Sequence, residues 1–147
     1  IDADTIQNQN SGRVDYTGLD AGVKGKVFDM LDVGLSYGLI HADVKRSDIG
    51  KITDLPTQTL TAWMTLKPWD PLSITLSEEA RSSSYSNSDG SQKAAGFAIT
   101  HLRADYAIGH GFSVNASVNN LFDTQYVYSE GFIEEGRNYW AGIEYQF

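Results

Sequence analysis

Few residues of this chain have the types and spacing that catalysis or metal binding needs. The imidazoles are His41, His101 and His110, separated by stretches much longer than the roughly three to five residues of a compact ligand pair. A shared metal site is not expected, and no cofactor is implied. Glu78 and Glu79, close to Arg81, come nearest to paired carboxylates for acid–base work. Adjacent residues of a strand point to opposite faces, however, so the two cannot meet one substrate without a bulge. No Ser-His-Asp order, glycine-rich phosphate loop or HExxH is present. With no cysteine there is neither a thiolate ligand nor a disulfide framework. The residues predict a protein that is not an enzyme.

The elements that carry these side chains read as strands. Hydrophobic content is 41 %, mean hydropathy is −0.32 and aromatics make up 12 %, with no apolar run near the ~20 residues of a membrane helix. Proline is confined to Pro56, Pro68 and Pro71, which suits many strands joined by turns. An all-β, antiparallel chain is expected. Lys and Arg number 11 against 19 Asp and Glu, for a net charge of −8, which argues against nucleic acid as a partner. The 147 residues open on Ile1-Asp2-Ala3-Asp4 without Met, and the expectation is a piece of a longer polypeptide.

Alternation is cleanest over the last ten residues. Tyr139, Ala141, Ile143, Tyr145 and Phe147 share one parity, and Asn138, Trp140, Gly142, Glu144 and Gln146 the other. Such a strand has one face toward hydrocarbon and one toward water or a polar interior. The same pattern recurs after the polar residues 1–12. It covers Leu19 to Val27, Leu31 to Leu39, Thr57 to Lys67, Leu72 to Arg81, Leu102 to Ile108 and Phe112 to Asn119.

Seven strands are predicted. Short turns are placed at Phe28-Asp29-Met30, Pro68-Trp69-Asp70-Pro71 and Gly109-His110-Gly111. Long polar loops alternate with them at 45–54, at 82–92, read as flexible, and at 120–137, read as irregular. Aromatics gather at the short-turn end as Phe28, Trp69, Phe112, Tyr145 and Phe147. Uneven loops and an aromatic band favour an outer-membrane β-barrel over a soluble sandwich or lipocalin-like barrel, which alternates too.

Asn120-Leu121-Phe122-Asp123-Thr124-Gln125-Tyr126, then Gly136-Arg137-Asn138-Tyr139 and a final Phe147, resemble the closing strands of TonB-dependent outer-membrane receptors. Those receptors carry Asn-Leu-Phe-Asp-x-x-Tyr after the penultimate strand and a Gly-Arg-x-Tyr/Phe step into the last. Weaker agreement extends back through Pro56 to Lys67 and Tyr16 to Val27.

The resemblance implies that residues 1–147 are the C-terminal portion of a 22-stranded barrel in the outer membrane of a Gram-negative bacterium. The parent would take up a scarce ligand, most often a ferric siderophore, but also cobalamin or haem. Implied partners are outer-membrane lipid, the remaining strands, a plug domain, the TonB complex and the barrel-assembly machinery; the plug and TonB-binding box are not in this sequence. A passive porin-like or other outer-membrane barrel is the alternative, and a soluble ligand-binding barrel the third. Ligand identity is not legible.

The stripe Tyr139, Ile143, Tyr145 and Phe147 is read as the barrel-assembly signal, with plain lipid contact as the competing reading. Arg81, Arg103 and Trp140 are lumen-facing candidates for a ligand or plug contact, though a hydrogen-bond network is the favoured role. Arg137 is read as a structural ion-pair residue before a ligand contact, and Asp123 as a turn residue binding nearby backbone N–H groups.

Overall fold

The computed structural model describes residues 12–45 and 50–147. Among these, seven long strands form one antiparallel sheet. They are β1 (Val14–Phe28), β2 (Leu31–Val44), β3 (Gln58–Trp69), β4 (Leu72–Arg81), β7 (Phe97–Gly109), β8 (Phe112–Asn119) and β9 (Asn138–Tyr145). The two-residue strands β5 (Ser84–Tyr85) and β6 (Lys93–Ala94) pair as a separate hairpin. Each long strand neighbours the next long strand in sequence, in the order β1-β2-β3-β4-β7-β8-β9.

The sheet is a single layer, because the alternation leaves no second face to bury. Ala94 and Ile99 are the buried apolar residues among those described, while Leu19, Val23, Leu35, Met64, Ile108 and Ile143 are exposed. These side chains are in register across the sheet, as in Leu19↔Leu39, Val23↔Leu35↔Ala62, Met64↔Leu76↔Leu102 and Val114↔Ile143. A continuous apolar wall of this kind is unfavourable in water and favourable in hydrocarbon.

The opposite face is polar and internally bonded. Thr65 and Thr75 share a 2.9 Å hydroxyl–hydroxyl bond, Lys67 Nζ meets Asp32 Oδ2 at 2.7 Å, and Asn119 Nδ2 donates to Asn138 Oδ1 at 2.8 Å. The indole of Trp63 lies against Gly34, where an added Cβ would fall 2.4 Å from the ring.

The strands are staggered. Leu31, which opens β2, pairs with Leu66, three residues before the end of β3 at Trp69. The row continues through Ile74, two residues into β4, then Ala104, Ala116 and finally Ala141, four residues before Tyr145. With the short turns as one level, the row climbs a little under one residue per strand. That is about 3 Å of climb for each ~4.8 Å of strand spacing, a tilt of about 30–35°, near the roughly 35–45° of membrane barrels.

The turns are tighter and the strands longer than alternation alone predicts. β1 begins at Val14 and β7 at Phe97. Pro68 and Trp69 are strand residues, so the turn is confined to Asp70 and Pro71. Pro68 is tolerated because the ladder shifts register between Leu66 and Trp69, where its missing N–H is not needed. His110 (φ 54°) and Gly111 (φ 83°) make the third turn with two left-handed residues. A Cβ on Gly111 would fall 2.2 Å from the Gln146 carbonyl oxygen.

The 82–92 segment is not a loose polar loop. Besides the β5–β6 pairing, Lys51 N bonds Ser88 O at 2.7 Å and Asp54 N bonds Tyr85 O at 2.7 Å. Residues 1–11 and 46–49 of the predicted loops lie outside the described residues.

Candidate functional site

Chemistry-bearing side chains concentrate at the long-loop end, where residues 120–137 leave β8 and return into β9 as a strap over the polar face. Its base is closed by the residues of the Asn-Leu-Phe-Asp motif. Asn120 is 2 % exposed and takes φ 51°, a conformation asparagine accepts more readily than most side chains. Its Oδ1 accepts from Thr124 N at 2.8 Å, and its Nδ2 donates to the carbonyls of Thr124 (2.8 Å) and Glu135 (3.4 Å).

Asp123 Oδ1 accepts from Arg137 N at 2.8 Å, which ties the outgoing chain to the returning one. A Cβ on Gly136 would fall 2.7 Å from that same oxygen, so glycine there keeps the approach open. Asp123 therefore binds a backbone N–H near in space but distant in sequence. Leu121 N donates to Thr100 O at 2.8 Å, whereas Phe122 is exposed.

Arg137 departs from its expected ion pair. No carboxylate pairs with it among the described residues; its Nη1 donates to Leu121 O at 3.3 Å. The adjacent Glu135 Oε2 instead accepts from Asn138 Nδ2 at 3.1 Å.

The strap's middle is held to the sheet through side chains. Tyr128 OH donates to Glu79 Oε1 at 3.1 Å, and the Arg81 guanidinium carbon lies 4.9 Å from the Tyr128 ring centroid and 5.8 Å from that of Phe97. The rings of Phe97, Tyr126 and Tyr128 close on one another at 4.5–5.6 Å between centroids. Edge-on and tilted packing of this kind adds stabilisation beyond area burial.

Burial, reinforced by the Glu79 charge, pushes the Tyr128 hydroxyl up to about 12. Tyr126 is also raised, first by burial and then by Glu134. Both phenols stay neutral at ordinary pH, and that of Tyr128 donates to Glu79. Further out, Glu130 N donates to Ser86 Oγ at 2.7 Å and joins the strap to the β5–β6 hairpin.

The structure does not bring Arg81, Arg103 and Trp140 together. Arg103 and Trp140 both pair with Ser117 from opposite sides, but Arg81 pairs with Phe97, six residues along β7 from Arg103. Arg103 is engaged by Asp105, with Nε 2.9 and 3.0 Å from the two carboxylate oxygens. Trp140 Nε1 donates to Asn138 Oδ1 at 3.0 Å. Glu78 and Glu79 point to opposite faces, Glu78 to the Thr100 hydroxyl and Glu79 to Tyr128. His41 lies in β2, His101 in β7 and His110 in a turn, on no common site.

Tyr139, Ile143 and Tyr145 project from the apolar face of β9. The Tyr145 ring packs on Phe112 at 4.5 Å and on Phe147 at 6.4 Å. Alternation missed Phe97, Glu79 and Tyr128 as one cluster. The available signal is the triplet Tyr126-Val127-Tyr128, one of three apolar groups in 120–137 beside Leu121-Phe122 and Phe132-Ile133.

The family model described as "TonB dependent receptor-like, beta-barrel" matches residues 1–121. The chain belongs to this TonB-dependent receptor β-barrel family. It is 26 % identical over 147 residues to the iron-regulated outer membrane virulence protein of Vibrio cholerae, covering 94 % of this chain and 22 % of that one. It is 31 % identical to the ferric-pyoverdine M114 receptor PbuA of a Pseudomonas strain, with coverages of 84 % and 17 %. The siderophore receptor PiuA of Acinetobacter baumannii superposes with a TM-score of 0.80 at 16 % identity, over 91 % of this chain and 22 % of that one.

The chain thus spans about a fifth of the length of the curated relatives it matches. As part of a TonB-dependent receptor barrel it lies in the outer membrane of a Gram-negative bacterium. Its apolar face is the lipid face and its polar face the lumen wall.

Proposed function

We propose that the chain supplies C-terminal staves to the barrel of an outer-membrane receptor that imports a ferric siderophore with energy from TonB, and is not an enzyme. Its partners are then outer-membrane lipid, the other strands and plug domain of the parent polypeptide, the TonB complex and the barrel-assembly machinery. The observation that carries the reading is the one-layer sheet with an unbroken apolar outer face, in a chain whose family is that of receptor barrels. A sheet with two unpaired edges cannot stand alone in hydrocarbon, which fits a segment completed by further strands of a larger barrel, 22 in all. Relatives named as a ferric-pyoverdine receptor and a siderophore receptor support iron chelates as cargo.

In this reading Tyr139, Ile143, Tyr145 and Phe147 form the stripe read during assembly, and Arg81 is a lumen cation at the mouth that packs on Tyr128 and Phe97 and has no carboxylate partner among the described residues. The deciding experiment deletes the parent gene and follows radiolabelled iron uptake from a panel of ferric siderophores, with and without TonB. One siderophore should lose its TonB-dependent uptake and regain it on complementation. Unchanged uptake across the panel would reject the reading.

A further inference from the structure

The Tyr128 side chain occupies its surroundings in the way a bound small molecule would. Its ring is covered by a guanidinium and bordered by two other rings, and its hydroxyl is received by a carboxylate. We propose that Arg81, Phe97, Tyr126 and Glu79 form a lumen-wall site for a phenolic ring, and that Tyr128 fills it from within the chain until an external phenol takes its place. The proposal rests on the reading of the barrel mouth as the side from which a ligand arrives.

Three observations support it. First, Arg81 is a cation without a carboxylate partner among the described residues, whereas Arg103 on the same wall is fully engaged by Asp105. A guanidinium left to aromatic faces alone suits a flat π-system. Second, the wall beneath the strap is dry: Ile99, whose lumen-facing neighbour across the ladder is Glu79, is 2 % exposed although the sheet has a single layer. The strap is the element that crosses there.

Third, the strap's two attachments to the sheet differ in kind. Its base is fastened through backbone groups that no ligand can imitate. The Tyr128 contact uses one ring and one hydroxyl, which a free phenol reproduces group for group. Exchange would free the middle of the strap from the sheet while its base stays closed and Glu130 N keeps its bond to Ser86 Oγ.

The test uses the full parent chain in its membrane. These residues contain no cysteine, so Ile99→Cys reports access to the wall, once any thiol elsewhere in the parent is removed. Maleimide labelling of Ile99→Cys should be slow. Adding Tyr128→Phe should speed it about tenfold, the effect of losing one hydrogen bond to a carboxylate, and Tyr128→Ala should speed it further. In the Tyr128→Ala background, millimolar catechol should slow labelling again while 1,2-dimethoxybenzene, which has no O–H, should not. Protection by catechol should vanish when Arg81→Ala is added.

Retained compactness on a non-boiled gel checks folding, and a spin label at Ser129→Cys, mobile only after the Tyr128 substitution, is an independent readout. Labelling in Tyr128→Ala no faster than in Ile99→Cys alone, or equal protection by both probes, would overturn the proposal. The labelling needs neither iron nor TonB, so it fails or succeeds separately from the uptake measurement.

Discussion

The base and the middle of the strap hold the same segment to the same sheet by opposite means. At the base, Asn120 and Asp123 satisfy backbone groups of Thr124, Glu135 and Arg137, so the polypeptide path itself is fixed. In the middle, Tyr128 touches only side chains, Glu79, Arg81 and Phe97. Loss of a side chain that satisfies buried backbone leaves orphaned groups behind; loss of a side chain that meets other side chains lets them turn to solvent. The base is thus a permanent closure, and the middle is releasable.

The largest effect should come from Asn120→Ala, which removes three hydrogen bonds at a residue 2 % exposed. We expect a loss of about 3 kcal/mol, read as a lower urea midpoint and new proteolysis within 120–137. A loss below about 0.5 kcal/mol would erase the distinction between the two attachments.

Gly136→Ala should cost about 1–2 kcal/mol by pushing Asp123 off the Arg137 N–H. Combining it with Asp123→Ala should cost little more than either alone, since both act on one bond. Additive losses in that double-mutant cycle would show that Gly136 matters for some other reason.

Raising the pH should act on the middle only. Tyr128 holds its proton in the folded strap until about 12, whereas an unfolded tyrosine loses it near 10. Below ~10 both states are protonated and strap stability is flat with pH. Between about 10 and about 12 the released strap binds fewer protons than the latched one, so the latch weakens as pH rises. A spin label at Ser129→Cys should gain mobility across that window in the wild-type background and gain less in Tyr128→Phe, where Tyr126 is the raised phenol that remains.

The smallest effect belongs to Lys67→Ala, which breaks an ion pair with Asp32 at the far end of the wall. The lysine side chain is 51 % exposed, so the urea midpoint should hardly change, and neither strap readout should move.

The strands were legible in the sequence because a one-layer sheet between lipid and lumen leaves every second residue little chemical choice. Leu60, Ala62, Met64 and Leu66 announce their face without knowledge of any partner. Strand ends were less legible. Val14 to Gly18 and Phe97 to His101 lie above the apolar belt, where alternation fades but backbone pairing continues.

The motif residues were recognisable as a pattern before their bonds were known. Why Asn120 and Gly136 stand there depends on the strap folding back on itself, a contact between residues 15 apart that no local period encodes. Tyr128 is the least legible, since it lies in no strand and its partner Glu79 stands 49 residues away in β4, beside Arg81, as one polar residue among many on a lumen wall.

The stagger of the sheet bears on closure. A strand ladder that steps about one residue per neighbour returns to its first strand shifted by a whole number of residues, and side chains alternate in twos. If the accumulated shift were odd, leucines and tyrosines would meet threonines and asparagines along the final seam. The alternation seen in Leu19, Leu35, Met64, Leu76, Leu102 and Ile143 therefore constrains strands far from these residues: the sum of steps around the whole circuit must be even.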